Sequence, residues 1–375
     1  MCGIKGAIEY LRRVTGCTGA NWTTVLVVLM IGGVLLANFR QDYYLSKWYA
    51  LVVLATALLA WTIYKKMSIH FAQFYGYLML SAASIALFKF GPYMAAKKSI
   101  LFEPLTTWVY LASVMIVVLL VNPRQIYLGI KILVPIHLIY CLYCLWLHNG
   151  IGYPMGFDYN RSVNGTLLSM MLPFCMNIWT VVGTLFVIAY CKVSIGMAAT
   201  LVGVTVFYFM KTRYKMSFAL LALIFAGMSL AFLYYHYGAQ LADYSSREVT
   251  WKTIPYLVAR EGREMFGYGT GTFSHLMPSA KFLFPKMVTD PYIMFWAHND
   301  LLQFYFENGW YGYLLVLPVV FEILRKSMKS PFFMAFFAAY FVNCLGNFPS
   351  HLASTGLLLI TVISLVYRED SNEIT

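Results

Sequence analysis

The chain has 375 residues, with 27 Lys and Arg against 15 Asp and Glu, a formal charge of +12. It is 61% hydrophobic and 11% charged, where soluble domains run at roughly 45–50% and about 25%; with a mean hydropathy of +0.68 this excludes a soluble globule, a disordered chain and a fibrous repeat. The basic residues are scattered between apolar runs rather than gathered on one patch, which argues against a nucleic-acid binder, and the class that remains is a polytopic membrane protein.

The first residues carry Lys5, Arg12 and Arg13. They lack the short apolar core and small-residue cleavage site of a signal peptide, so no cleavable leader is expected. At about 20 residues per span, apolar runs fall near 22–39, 47–64, 69–88, 104–122 and 126–147. Others follow near 163–193, 194–210, 216–235, 310–324, 331–348 and 352–367. Inside the fifth run, Lys131 and His137 face a cavity or snorkel. Cys141 and Cys144 share a helix face there and read as packing residues. The seven cysteines form no disulfide framework, because most sit in or beside apolar runs.

The run from 163 to 193 decides the topology. One helix of that length is far too long for about 30 Å of hydrocarbon. Two helices are expected instead, turning at Met176-Asn177-Ile178 after Pro173. The total is then twelve spans. With the N-terminus inside, the cytoplasmic loops hold Lys5, Arg12, Arg13, Lys65, Lys66, Arg124, Lys211, Arg213, Lys215, Arg325, Lys326, Lys329 and Arg368. The short outer loops hold Arg40, Lys47, Lys89, Lys97, Lys98, Arg161 and Lys192, so the ratio is thirteen to seven. That excess places both termini in the cytoplasm. The expected fold is all-α with about 12 transmembrane helices. Residues 1–235 carry the first nine, 236–309 form one large, partly helical outer loop, and 310–375 carry the last three with a cytoplasmic tail.

Long loops on rigid scaffolds tend to carry function, so 236–309 is where chemistry is sought. Ser245 and Glu248 have capping-box spacing and open a helical stretch. Trp251, Ile254, Val258 and Met265 make its apolar stripe, and Pro255 is expected to kink or end its first part. Arg247 and Trp251 are four apart and share a face; by spacing alone Arg247 reads as an exposed helix charge. Gly267-Tyr268-Gly269-Thr270-Gly271-Thr272-Phe273 reads as a turn, since no strand precedes it and no Lys-Ser/Thr follows. In Trp296-Ala297-His298-Asn299-Asp300, followed by Leu301, Leu302, Tyr305 and Phe306, the pattern predicts a short surface helix over 299–308. Gly309 ends it, and a span follows. His298 then lies at a helix N-terminus, whose positive dipole end favours a neutral imidazole. Glu307 is too far along that helix to pair with His298 and reads as structural, holding backbone at the helix exit. His236, His275 and His351 show no metal-ligand spacing, and no metal or other cofactor is expected.

Three stretches resemble the superfamily of bacterial O-antigen ligases and polymerases. They are Arg161-Ser162-Val163-Asn164-Gly165-Thr166-Leu167 leading to Leu172-Pro173; Arg247 and Trp251 followed by the glycine-bearing turn; and His298-Asn299-Asp300 with Leu302, Glu307, Gly309 and Gly312. The resemblance covers about 150–330 and implies a GT-C-type fold in the bacterial inner membrane with its active site facing the periplasm. It implies metal-independent, inverting transfer of a glycan from undecaprenyl diphosphate to a lipid A–core hydroxyl. Arg247 is then the diphosphate clamp and His298 acts at the acceptor or donor. Arg161, Lys192, Arg260, Arg263, Asn299 and Glu307 are the substrate-binding candidates. Where the family commonly has Ser-Arg-Gly, this chain reads Ser194-Ile195-Gly196, and Lys192 or Arg161 is the candidate replacement. A polymerase joining carrier-linked repeat units is the alternative; the spacing from Arg260 to Gly271 fits it, while the short 148–162 loop favours the ligase. A lipid-linked glycan flippase or transporter is the reading from another class. It requires charged or broken-helix residues at the bilayer midplane, for which only Lys131 and His137 qualify. No nucleic acid is expected as partner; membrane lipids are.

Overall fold

The computed structural model describes residues 123–147, 160–212, 244–269, 272–273, 276–277 and 297–368. The expected spans before residue 123 and near 216–235 lie outside the described residues, as do His236 and His275. The described residues are all helical, with no strand. In chain order they form α1 (Pro123–Leu147), α2 (Arg161–Met171) continued by a 3₁₀ turn (Leu172–Cys175), α3 (Ile178–Tyr190) and α4 (Ser194–Lys211). Then come α5 (Tyr244–Arg260), α6 (Asp300–Ser327), α7 (Pro331–Cys344), a 3₁₀ turn (Pro349–His351) and α8 (Ala353–Arg368). Two of them, α1 and α4, are long and apolar enough to cross a membrane.

The run from 163 to 193 divides where its turn residues predict. Pro173 lacks an N–H and sits in the 3₁₀ turn. Asn177 then starts α3 with a reciprocal cap: Thr180 N–H donates to Asn177 Oδ1 at 3.0 Å, and Asn177 N–H to Thr180 Oγ1 at 3.2 Å. Neither half is full length. At 1.5 Å per residue α3 rises about 20 Å, and α2 with its 3₁₀ turn about 25 Å, both short of about 30 Å of hydrocarbon.

α2 is the centre of the bundle. Every residue from Val163 to Met171 is buried, so it presents no free face. On one side it crosses α4, where a Cβ on Gly196 would sit 3.2 Å from the Gly165 carbonyl carbon; small residues let the two backbones meet. On another it meets α1 through a polar contact, His137 Nε2 at 2.5 Å from Asn164 Oδ1, with Asn164 Nδ2 donating to Cys141 Sγ at 3.3 Å. His137 is therefore buried rather than snorkelling, and Cys141 bonds as well as packs. From within the 3₁₀ turn, Phe174 meets Tyr127 at 5.7 Å and Phe336 at 6.0 Å between ring centroids. α4 and α7 form the most extensive helix pair, with Phe207 against Phe332 at 5.2 Å.

A second core lies under α5. Ile254, Val258 and Phe273 are fully buried there with Leu257, Met277, Ala297 and Phe306. Each such side chain contributes about 1.5–3 kcal/mol when taken from water. Its described part runs from Tyr244 through Pro255 to Arg260, so the helix does not end at the proline. Met265 leaves the predicted stripe and is 50% exposed.

The helix beginning at Asp300 breaks at Gly309, whose φ is 60° and ψ −166°, where the surface helix is expected to give way to a span. The break is stitched to the turn after α5. Trp310 N–H donates to Glu264 O and Tyr311 N–H to Met265 O, both at 2.8 Å. Tyr268 and Gly269 N–H return to Phe306 O and Glu307 O at 2.9 and 2.8 Å. A Cβ at Gly309 would lie 2.5 Å from the Met265 carbonyl. Gly309→Ala is therefore expected to cost about 3 kcal/mol, from the left-handed backbone and the overlap together. Thermal unfolding of the purified protein in detergent measures it, and an unchanged midpoint would contradict the stitched break.

Candidate functional site

Four separated segments meet at a cavity of about 380 Å³, within the range of small-molecule sites. The start of α2 supplies Asn160, Arg161, Ser162, Val163 and Thr166; α5 supplies Arg247; the entry to α6 supplies His298; and the α7–α8 connection supplies Asn347, Phe348 and Leu352. The cavity thus gathers Arg161, Arg247 and His298 from the residues that sequence reasoning singles out.

Each is held by a specific contact. Asn160 caps α2, its Oδ1 accepting from Ser162 N–H at 2.9 Å and Val163 N–H at 3.4 Å. That places Arg161 on the first turn, exposed and at the positive end of the helix. Arg247 Nη1 donates to Gly346 O at 3.3 Å. One turn along α5, Trp251 Nε1 donates to Ala297 O at 2.7 Å. The face shared by Arg247 and Trp251 therefore has two tasks: one residue enters the cavity, and the other holds the backbone that carries His298.

His298 itself has φ 51°, in the left-handed region, a strained state for a residue with a Cβ. Its ring meets Phe348 edge-on at 4.9 Å. Its Nδ1 is buried and, among the described residues, has no hydrogen-bond partner. Burial first, and the neighbouring Arg247 charge second, push its pKa down to about 4. The imidazole is neutral, as the sequence predicts, but the causes are burial and Arg247 rather than the helix dipole alone. Asn299, not His298, caps α6, accepting from Leu302 N–H at 3.0 Å while its Nδ2 donates to Leu345 O at 3.2 Å.

Asp300 is 6% exposed, in the surface turn that precedes the break at Gly309. Its Oδ2 accepts from Ser350 N–H at 2.8 Å, yet burial raises its pKa to about 7. Arg247, Asn299 and Asp300 thus all anchor on one short stretch, Leu345 to Ser350. Ile195 packs on the same stretch, its Cγ1 3.1 Å from where a Cβ on Gly346 would stand.

The other candidates lie elsewhere. Lys192 is exposed in the turn between α3 and α4, with φ 55°, and does not line the cavity. Arg260 is exposed at the end of α5 and Arg263 half-buried in the following turn; neither lines it. Glu307 is 3% exposed. Its Oε1 accepts from Phe273 N–H at 3.4 Å and Gln303 Nε2 at 3.3 Å. Gln303 in turn accepts from Ala297 N–H at 3.1 Å, so Glu307 supports His298 through a chain of contacts. The glycine-bearing stretch is a turn against α6, outside the cavity, with Thr270 and Gly271 not among the described residues. Among the described residues no three His, Cys, Asp or Glu side chains are grouped to hold a metal ion.

Sequence reasoning missed Asn160, Asn347 and Phe348. A signal was available for one of them. Asn343 and Asn347 are four apart at the end of an apolar run, and amides so placed mark a polar lining.

The described chain is thus an all-helical protein with two apolar helices of membrane-crossing length and a cationic cavity beside a neutral histidine. No protein-family model matches the chain, and no curated protein matches it.

Proposed function

We propose that the chain is a multi-pass inner-membrane glycosyltransferase of the O-antigen ligase type, with twelve spans, a GT-C-like fold and a periplasmic site. The observation that carries this reading is the convergence of Arg161, Arg247 and a neutral His298 on one cavity. A lipid diphosphate leaving group needs fixed cations where charge develops. The guanidinium fork of Arg247 suits a diphosphate's paired oxygens, and Arg161 is the second cation, in the role for which Ile195 is unfitted. The acceptor hydroxyl needs a base as it attacks. In the transfer the hydroxyl oxygen forms a bond to the anomeric carbon, the bond from that carbon to the diphosphate oxygen breaks, and His298 takes the hydroxyl proton. Undecaprenyl diphosphate leaves with both bonding electrons.

Deleting the gene and resolving the lipopolysaccharide on a gel tests the reaction. Long carrier-linked chains left unattached are the expected result. Single-repeat caps would make the protein a polymerase, and unaltered lipopolysaccharide would remove the proposal. Topology is tested separately. A single cysteine at Glu261, exposed in the turn after α5, is expected to react with a membrane-impermeant maleimide in intact spheroplasts. Labelling only after lysis would place the loop in the cytoplasm and overturn the orientation.

A further inference from the structure

The cavity floor contains a directed chain of hydrogen bonds that can be read from its buried end. Asn343 is fully buried on α7. Its Nδ2 donates to Ala339 O and to Ser169 Oγ, both at 2.9 Å. A backbone carbonyl only accepts, so the amide of Asn343 is fixed with Oδ1 turned the other way. Ser169 spends its proton on Thr166 O at 2.8 Å, which agrees with its accepting from Asn343. Asn343 Oδ1 lies 3.1 Å from Thr166 Oγ1 and, being an acceptor, takes that hydroxyl's one proton. Thr166 Oγ1 can then only accept from Asn347, 2.8 Å away. Asn347 must offer Nδ2 there. Two backbone carbonyls deep in the bundle therefore set the orientation of an amide at the cavity wall.

What remains is Asn347 Oδ1. Asn347 is 4% exposed and lines the cavity, and among the described residues no donor reaches this oxygen. The oxygen is not among the fully buried, unpartnered polar atoms; it keeps accessible surface, and its residue lines the cavity, so it is available to accept from a ligand's donor. The cations of the same cavity cover the anionic part of such a ligand. An acceptor fixed beside them calls for a neutral hydroxyl or N–H close to the diphosphate.

We propose that Asn347 is a specificity residue whose amide oxygen, held by Thr166 and Asn343, accepts a hydrogen bond from the sugar adjoining the carrier diphosphate. This rests on the diphosphate reading above. Thr166 is then a positioning residue, since it acts through Asn347.

The test uses the purified full chain in detergent and two probes: geranyl diphosphate, and geranyl diphosphate carrying N-acetylglucosamine. Wild type is expected to bind the sugar-bearing probe about five- to tenfold more tightly, the worth of one good hydrogen bond. Asn347→Leu is expected to bring that probe down to the affinity of the bare one. Thr166→Val frees the amide to turn and is expected to remove part of the same preference, with bare-probe binding showing that the fold survives. If Asn347→Leu and Thr166→Val keep the wild-type preference, or if wild type shows none, Asn347 does not read the sugar while the diphosphate reading stands. If wild type binds neither probe, the diphosphate reading fails and this inference with it.

Discussion

Replacing His298 with alanine is expected to reduce glycan transfer by about 10²–10⁴-fold, the usual worth of a general base, with protein abundance and carrier-linked donor unchanged. His298→Gln is not expected to rescue, because an amide hydrogen-bonds but does not take up the proton. Near-normal transfer by the Gln variant would make His298 an orienting group and send the search for a base to Glu248, Glu261 and Glu264. The pH profile gives an independent check. The imidazole is the base only when neutral, and its pKa is lowered to about 4. Activity is therefore expected to hold from pH 7 to 5 and to fall as pH drops through about 4. A transition near pH 7 belongs instead to Asp300, whose carboxyl burial raises to about 7, and Asp300→Asn removes it. Stability moves with the same groups. Between pH 6.5 and about 4 the unfolded imidazole takes a proton that the folded one refuses, so stability falls across that window. Between pH 3.8 and about 7 the unfolded Asp300 carboxyl has ionised while the folded one keeps its proton, so this group's contribution to stability is lost as pH rises across that window.

Arg247→Lys is expected to lose about 10²-fold in transfer despite keeping the charge. A planar fork that bonds two phosphate oxygens is replaced by a point charge on a flexible stem. Arg247→Gln is expected to lose more, and to do something a surface charge would not. Arg247 is the second cause of the low His298 pKa, so removing its charge shifts the acid limb of the pH profile to higher pH. Full complementation by the Lys variant at normal expression would return Arg247 to an ordinary helix charge. A Gln variant with an unmoved acid limb would break the electrostatic link between the two residues.

Much of the helical layout was legible because apolar runs and breakers are local signals. Pro173 and Asn177 announced the division of the long run, and Gly309 the break before the last spans, each by backbone chemistry that neighbours do not alter. At Pro255 the helix continues to Arg260, so of a kink and an end only the end is excluded. Arg247 and His298 were legible from motif and spacing, but the reason they belong together was not. Their common anchor is the Leu345–Ser350 stretch, whose role depends on backbone carbonyls and amides, and every residue type carries those. Asn347 was hidden for a related reason. Its orientation is set by Ala339 O and Thr166 O, through contacts that join α2 to α7 across a long sequence separation.

The backbone bonds across Gly309 have a mechanical consequence. With residues 264–269 laced to both sides of the break, this turn cannot swing away from α6 without exposing four amide bonds at once, each with a net worth of about 1 kcal/mol. The glycine that breaks α6 is thereby a fixed corner rather than a hinge, so α6 and the turn after α5 move as one body or not at all.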